Sequence, residues 1–302
     1  FDHAWANGFE RAGGHYYPKF LTAIPFTPVP GPRLLSREQN PQLAGAMGAA
    51  LTELAQNNDI SSAHINFLSD ADRAVLDAQG WMIRKGVQFH WHNHGYQQFD
   101  DFLAALSSRK RKNIRKERKS LADDGVRFLQ LTGDDITQQH WDKFYEFYLA
   151  TIDKKWGGAY LTRGFFDRIG QHLADKILLI MAEQDGDIIA GALNFIGYDA
   201  LYGRNWGCLR ELPNLHFETC YYQAIDFAIE RGLKRIEAGA QGVHKLARGY
   251  RPVTTYSAHY IVNPEFRRAV DEYLKNERTH IASLHTELVN HAPFKKTPVE
   301  EE

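Results

Sequence analysis

Residues 177–206 constrain the fold more than any other stretch of the chain. The run Ile177-Leu178-Leu179-Ile180-Met181-Ala182 is apolar without interruption, which suits a strand in the interior of a sheet. Asp185-Gly186-Asp187 then supplies a hairpin turn. Residues 188–195 return, and 200–206 read as a third antiparallel strand. The flanks fit the same sheet. Residues 126–131 are strand-like, and 141–152 form a helix with Phe144, Phe147 and Tyr148 at helical spacing. A second helix covers 165–173. Downstream, 217–230 is an amphipathic helix with Tyr221, Ala224, Ile225 and Ala228 inward, ended by Gly232. Strands at 235–238 and 254–262 follow, then a long helix from Pro264.

The first third reads as a second α/β pattern. Pro25, Pro28, Pro30 and Pro32 with Gly31 exclude a helix interior or central strand, so 23–33 is a short extended segment and a loop. Pro41 suits the first turn of a helix carrying Leu43, Met47, Ala50, Leu51 and Leu54 on one face. Residues 61–68 alternate as a strand. Asp70 can cap a helix that ends at Gly80, and 81–94 reads as one or two strands broken at Gly86. Residues 99–122 read as one charged helix between the two halves. The expected division is therefore a first module at 1–97, a basic linker helix at 98–124, a second module at 125–295 and a tail at 296–302. The opening residue is Phe1, and the first module is expected to be truncated at its N-terminus.

A chain of 302 residues with 43% hydrophobic residues can bury two cores. Its net charge of −1 demands neither a nucleic acid nor a membrane surface, so any basic site must be local. The two cysteines, Cys208 and Cys220, form no CxxC pair and fit a reducing cytoplasm. No apolar run approaches the ~20 residues of a membrane span.

Several long motifs carry a resemblance. They are the 25–35 segment PFTPVPGPRLL; Gln88-Phe89-His90-Trp91 with Gly95-Tyr96; Arg109-Lys110-Arg111-Lys112 with Glu117-Arg118; and Tyr202-Gly203-Arg204-Asn205-Trp206-Gly207. To these add Leu215-His216-Phe217-Glu218 with Cys220-Tyr221-Tyr222-Gln223, and Glu237-Ala238-Gly239-Ala240-Gln241-Gly242 with His244-Lys245 and Arg248-Gly249. Together they resemble the FemAB-like proteins of peptidoglycan biosynthesis and recognition. The resemblance implies a tandem of GNAT-like acyltransferase modules of the α/β (α+β) class, each a mixed, mostly antiparallel sheet flanked by helices, joined by a charged helix. It implies a cytoplasmic bacterial transferase acting on an amine in a peptidoglycan precursor or related metabolite. The donor is aminoacyl-tRNA, as in the similar but more distant Fem ligases, or an acyl-CoA, and no tightly bound cofactor is expected. The alternatives are an acyl-CoA-dependent N-acetyltransferase and a non-catalytic module that recognises a cell-wall precursor. A clear acetyl-CoA pyrophosphate loop is missing, which counts against the former; the nearest stretch is 205–210.

Four constellations are candidates for chemistry. In the first, a strand ending at Glu237 opens into Gly239, Gln241 and Gly242, and His244, Lys245 and Arg248 follow. Glycines let backbone N–H groups approach an anion, and the cations can hold a phosphate or an oxyanion. The same residues would also make a tight structural turn with solvated cations. Lys245→Ala or Arg248→Ala is expected to spare the fold and abolish transfer. In the second, His216 and Glu218 open a helix close behind Tyr202, Arg204 and Trp206, which alternate on one strand face. Acyl transfer needs a deprotonated amine, and either His216 or Glu218 can take that proton; a carboxylate at a helix start is also simply stabilising there. The third is His90, His92 and His94, on one strand face but without a supporting Cys or carboxylate at ligand spacing, so no metal is expected. The fourth is the basic run 109–119, where Arg109, Arg111 and Arg115 suit the phosphates of tRNA or of a nucleotide-linked precursor, or form a solvated face. DNA is not expected as a partner. The aromatics Trp141, Phe144, Tyr145, Phe147, Tyr148 and Trp156 read as core.

Overall fold

The computed structural model describes residues 2–295 apart from Gln39, residues 155–157 and Gln241. The expected tail at 296–302, Trp156 and Gln241 therefore lie outside the described residues. Along the chain run α1 (His3–Arg11), β1 (Phe20–Thr22), α2 (Pro41–Asn57), β2 (Ser62–Asn66), α3 (Asp70–Ala78), β3 (Met82–His92), α4 (Phe99–Ala105), α5 (Ser108–Asp123) and β4 (Arg127–Leu131). There follow α6 (Gln138–Asp153), α7 (Arg163–His172), β5 (Ile177–Gln184), β6 (Asp187–Ile196), β7 (Ala200–Cys208), α8 (Leu215–Phe217), α9 (Gln223–Glu230), β8 (Arg235–Glu237), β9 (Arg251–Ile261) and α10 (Pro264–Asn290).

The chain forms two compact units. Unit 1 comprises Phe1–Gln88 and Pro252–Asn290; unit 2 comprises Phe89–Arg251 and the residues from His291 on. This grouping is discontinuous, whereas the sequence reading drew contiguous modules around a linker. The strand β9 and the helix α10, expected in the second module, belong with the first because β9 is a sheet neighbour of β2 and β3. Periodicity identifies a strand but not its neighbour, so this could not be read locally.

In unit 1 the strand order is β1-β2-β9-β3. Strands β1 and β2 are parallel, β2 and β9 antiparallel with Ile65 opposite Ala258. One face packs Ile65, Leu76, Trp81 and Ile83 against α2 and α3. A second cluster joins Trp5, Met82, Val270 and Leu274. The Asn40 side chain caps α2 through the Gln42 and Leu43 amides, with Pro41 in the first turn. Ser69, not Asp70, caps α3, since its hydroxyl accepts from the Asp72 amide. Gly86 does not break β3, which is one strand; a Cβ there would lie 3.0 Å from the Thr255 hydroxyl. The proline-rich loop is pinned by Arg33, whose guanidinium donates to the carbonyls of Val29 (2.7 Å) and Asn66 (3.0 Å).

In unit 2 the order is β3-β8-β7-β6-β5-β4, antiparallel except for the parallel pair β7 and β8. Asp185 (φ 55°) and Gly186 (φ 84°) form the expected hairpin turn, left-handed at both positions. Trp141, Phe144, Phe147, Tyr148 and Phe166 cover one sheet face with Leu179, Met181 and Leu193. The expected single helix 99–122 is two, α4 and α5. The chain turns extended at Leu106, which bridges Phe294, and the Ser107 amide donates to the Pro293 carbonyl at 2.9 Å. Ile114 and Leu121 are buried, so α5 packs within unit 2 and is no free linker.

Unit 1 also encloses a polar network. His64 and His259 share a hydrogen bond between their Nδ1 atoms at 2.8 Å, so one donates and the other accepts. His64 Nε2 lies 2.8 Å from the Ser62 hydroxyl and 3.2 Å from Tyr16 Oη, with Asp2 at 3.6 Å. His259 Nε2 meets Ser257 at 2.9 Å, and Trp5 packs its ring edge-on at 4.9 Å. Lys19 holds Asp2 at 2.6 Å, and Arg84 lies over Trp5. Burial pushes His64 down to about 4 and His259 well below its ordinary value. The unfolded chain therefore takes up protons near pH 6.5 that the native state refuses. Stability is expected to fall as pH drops from about 6.5 toward 4, by up to about 1.4 kcal/mol per pH unit from His64 alone. Urea unfolding at pH 7.5, 6 and 5 checks this, and a pH-independent midpoint would contradict it.

Candidate functional site

The strands β7 and β8 define the local architecture. They pair in parallel over only three residues, Ala200–Arg235, Leu201–Ile236 and Tyr202–Glu237, and the ladder stops there. Beyond that point β7 runs on to Cys208, while the chain after Glu237 turns through Gly239 (φ 78°) and Gly242 (φ 114°) into a 3₁₀ turn, Val243–Arg248. The edge of β7 that faces β8 is thus without a strand partner after Tyr202, among the described residues.

A bulge alters the expected face of β7. Asn194 opposes Gly203 and Leu193 opposes Asn205, leaving Arg204 as the extra residue. Tyr202 and Trp206 consequently fall on opposite faces, not on one face with Arg204. Tyr202 joins Arg235 and Glu237, and Arg204 lies over the Tyr160 ring at 5.8 Å. Trp206 packs instead with Leu121, Val126 and Leu215, and its ring meets His216 at 5.1 Å. A strict two-residue period cannot anticipate a bulge.

The expected helix 217–230 is likewise interrupted. After α8 comes a π-helical turn, Glu218–Tyr222, before α9 begins. Such turns insert one residue and re-aim the side chains on them. Here residues five apart come into register, and the Gln223 amide donates to Glu218 Oε1 at 2.7 Å. Glu218 is 3% exposed and pairs with Arg118 at 3.0 Å. Its second oxygen is buried without a hydrogen-bond partner. Burial raises its pKa, with Arg118 opposing.

Lys245 and Arg248 are not solvated cations. Lys245 is 2% exposed and its ammonium donates to the carbonyls of Ala238 (2.5 Å) and Gly239 (3.0 Å). It fastens the glycine turn from within, and burial lowers its pKa to about 8. Arg248, also buried, donates to the His244 carbonyl at 3.0 Å and to Glu117 at 3.2 Å, and stacks on Phe217. His244 is exposed and shares a 2.8 Å hydrogen bond with Tyr221 Oη; a Cβ on Gly242 would strike its ring at 2.6 Å. His216 packs among Trp206, Tyr221 and His244.

Glu237 ends β8. Its Oε1 accepts from Arg235 Nε at 3.0 Å, and Arg235 also binds Asp199 at 2.8 Å and Tyr202 Oη at 3.2 Å. Its Oε2 is buried without a hydrogen-bond partner, 3.8 Å from His90 Nε2. Burial raises the Glu237 carboxyl and pushes His90 down to about 3. His90 and His92 lie on β3 while His94 falls in the bend after its end, with successive ring centroids 6.4 Å apart. Among the described residues no group of His, Cys, Asp and Glu is arranged to hold a metal ion.

Sequence reasoning missed the contribution of α5. Glu117 accepts from Tyr222 Oη at 2.5 Å while pairing with Arg248, and Arg118 pairs with both Glu218 and Asp226 (2.7 Å). The only signal was the Glu117-Arg118 dipeptide within a resemblance motif. The cations proposed for phosphate contact lie elsewhere on α5. Arg109 is exposed, Arg111 is half-buried, and Arg115 is exposed and paired with Asp100 at 2.9 Å.

With this geometry in view, the comparisons place the chain. The sequence profile of the FemAB-like family, described as peptidoglycan biosynthesis/recognition, matches residues 1–296, and the chain belongs to that family. No curated protein matches it. Among solved structures it resembles the C-terminal DUF2156 domain of a putative lysylphosphatidylglycerol synthetase from Agrobacterium fabrum (TM-score 0.55, 13% identity, 79% of each chain). It also resembles FemX (TM-score 0.53, 12% identity, 82% of this chain and 85% of that one). A third likeness is L-PGS from Bacillus licheniformis (TM-score 0.51, 12% identity, 85% and 79%). At these identities the likeness is one of fold. No helix among the described residues is long and apolar enough to cross a membrane.

Removing the Glu117 carboxylate strands a buried guanidinium. Glu117→Ala is expected to cost about 2–4 kcal/mol in urea unfolding, and Glu117→Gln, which still accepts hydrogen bonds, clearly less.

Proposed function

We propose that unit 2 carries an acyl- or aminoacyl-transfer site at the parting of β7 and β8, acting on an amine of a peptidoglycan precursor in the bacterial cytoplasm. The observation that carries this reading is Glu237: a buried carboxylate with one oxygen uncommitted, at the last β7–β8 pair, beyond which the edge of β7 has no strand partner among the described residues. FemAB-like membership supports the cell-wall setting.

The chemistry follows from those parts. A protonated amine enters and gives its proton to Glu237 Oε2, whose raised pKa suits a base working nearer neutrality. The amine nitrogen then attacks the carbonyl carbon of the donor ester or thioester. Backbone N–H groups on the unpaired β7 edge hold the oxyanion. The intermediate collapses to an amide, and the leaving oxygen or sulfur departs with a proton. Glu218, the second buried carboxylate with an uncommitted oxygen, is held by Arg118 and Gln223 and is the reserve base. Lys245 and Arg248 keep the glycine turn and the 3₁₀ turn in place, so Lys245→Ala and Arg248→Ala disturb the fold as well as the site. Arg109, Arg111 and Arg115 suit the phosphates of tRNA or of a nucleotide-linked precursor.

Glu237→Gln preserves size and removes the base. It is expected to leave the melting temperature near wild type and to lower transfer roughly 100-fold or more, assayed with acetyl-CoA and aminoacyl-tRNA as donors and a nucleotide-linked precursor as acceptor. In wild type kcat/KM should fall on the acid side with a pKa above the usual carboxylate value, because the base works only when ionised. Full transfer by both Glu237→Gln and Glu218→Gln would overturn the assignment. Transfer from acetyl-CoA alone would make the protein an ordinary acetyltransferase, and binding of the precursor without transfer would make it a recognition protein.

A further inference from the structure

Unit 1 contains two cavities that share Lys85 and Tyr256 as a common wall. They differ in character. The first, about 660 Å³, is lined by Arg73, Lys85, Arg267, Arg268 and Arg278 against Asp77 and Asp271. In a chain of net charge −1 this is a local excess of three positive charges. The second, about 920 Å³, is walled mainly by Leu21, Ile24, Pro25, Phe26, Phe67 and Ile281.

The cations of the first cavity are positioned yet incompletely neutralised. Arg267 is fixed by the Ile261 and Val262 carbonyls and Tyr260 Oη, and Arg278 by the Ile83 carbonyl at 2.8 Å. Backbone carbonyls orient a guanidinium without cancelling its charge. Arg73 lies over the Tyr256 ring at 4.8 Å, and its partner Asp70 is an exposed residue that screens it weakly. Asp271 is shared between Arg278 (3.6 Å) and Lys275 (3.2 Å). Lys85 and Arg268 have no ion-pair partner among the described residues. Several planar forks and a point charge around one space suit a tetrahedral, doubly charged oxyanion better than a monocarboxylate.

The second cavity asks for no charge. A close ion pair in its wall, Arg84 with Glu277 through bonds of 2.7 and 2.8 Å, is internally neutral. Its rim leaves Phe26 67%, Ile24 52% and Leu21 51% exposed, a cluster of apolar side chains in water that a ligand's carbon skeleton would cover. Phe26 holds this position in a left-handed conformation (φ 53°), where a bulky residue is uncommon. The volumes lie within the range of small-molecule sites.

We propose that unit 1 binds an amphipathic phosphate ester, its phosphate among Lys85, Arg73 and Arg268 and its apolar portion against Phe26, Ile24 and Leu21. The proposal is independent of acyl transfer in unit 2. A lipid phosphate and a nucleotide both present the phosphate, and the apolar chamber favours the former. Calorimetry on the full chain tests this with three probes: inorganic phosphate, ADP, and dihexanoyl phosphatidic acid below its micelle concentration. The short-chain lipid phosphate is expected to bind roughly tenfold or more tighter than the other two. Lys85→Glu with Arg268→Glu should weaken it by about tenfold or more, at an unchanged melting temperature because both side chains lack partners. Phe26→Asn, which tolerates the left-handed backbone, should remove the advantage of the acyl chains and leave phosphate binding unchanged. No saturable binding of any probe, or an affinity indifferent to the charge reversals, overturns the proposal. ADP binding as tight as the lipid phosphate overturns its apolar half.

Discussion

The candidate site depends on one charge pair, Glu117 with Arg248. Arg248 is buried, and a buried guanidinium is costly unless its charge is paired. Glu117 pairs with its Nη2, while Nε stays without a hydrogen-bond partner, and Glu117 at the same time accepts from Tyr222 Oη. A single carboxylate on α5 thereby ties together the π-turn and the 3₁₀ turn that follows the glycines. Its neighbour Arg118 does the same for Glu218 and Asp226. The helix that looks like a solvated basic linker is thus a wall of the site. Its outer arginines face water while two consecutive inward residues set the electrostatics.

The glycine turn after β8 illustrates a second constraint. Glycine-rich loops beside cations suggest an anion cradle, with amides turned inward. Here the carbonyls of Ala238 and Gly239 turn toward Lys245 instead, and the lysine is internal counter-charge for backbone dipoles. Among the buried polar atoms of unit 2 left without a hydrogen-bond partner are a carboxylate oxygen of Glu218 and one of Glu237, beside Trp91 Nε1, Asn205 Oδ1, Arg248 Nε and Tyr250 Oη. An uncommitted buried carboxylate oxygen is costly unless something uses it, which is why these two define the chemistry proposed for unit 2.

Unit 1 shows the opposite solution. Its buried histidines satisfy one another and their serine neighbours, so the network is closed and structural. Its uncommitted capacity lies in cations and apolar side chains around open cavities. The two units therefore place their unsatisfied chemistry differently, one in buried carboxylates beside a parted strand pair, the other in a basic chamber with an apolar neighbour.

Much of the fold was legible in the sequence. The hairpin at Asp185-Gly186, the apolar run of β5, the Phe144–Phe147–Tyr148 stripe of α6, Pro41 in the first turn of α2 and the stop at Gly232 are local patterns, and local patterns fix local structure. The site residues were named from motifs, and most of them do gather around the β7–β8 opening and the turns after it. Their roles were not legible. Whether Lys245 faces solvent or two carbonyls, whether Arg204 shares a face with Trp206, and whether Glu117 touches Arg248 depend on a strand bulge, a π-turn and a helix docking 131 residues away in sequence. So too with β9 and α10, which look like the end of the second module and pack with the first. The sequence by itself determined which elements form and which residue types are available. Only the tertiary structure decided which strand neighbours which, and which charges are satisfied, because hydrogen-bond partners and burial are set by groups far apart in the chain.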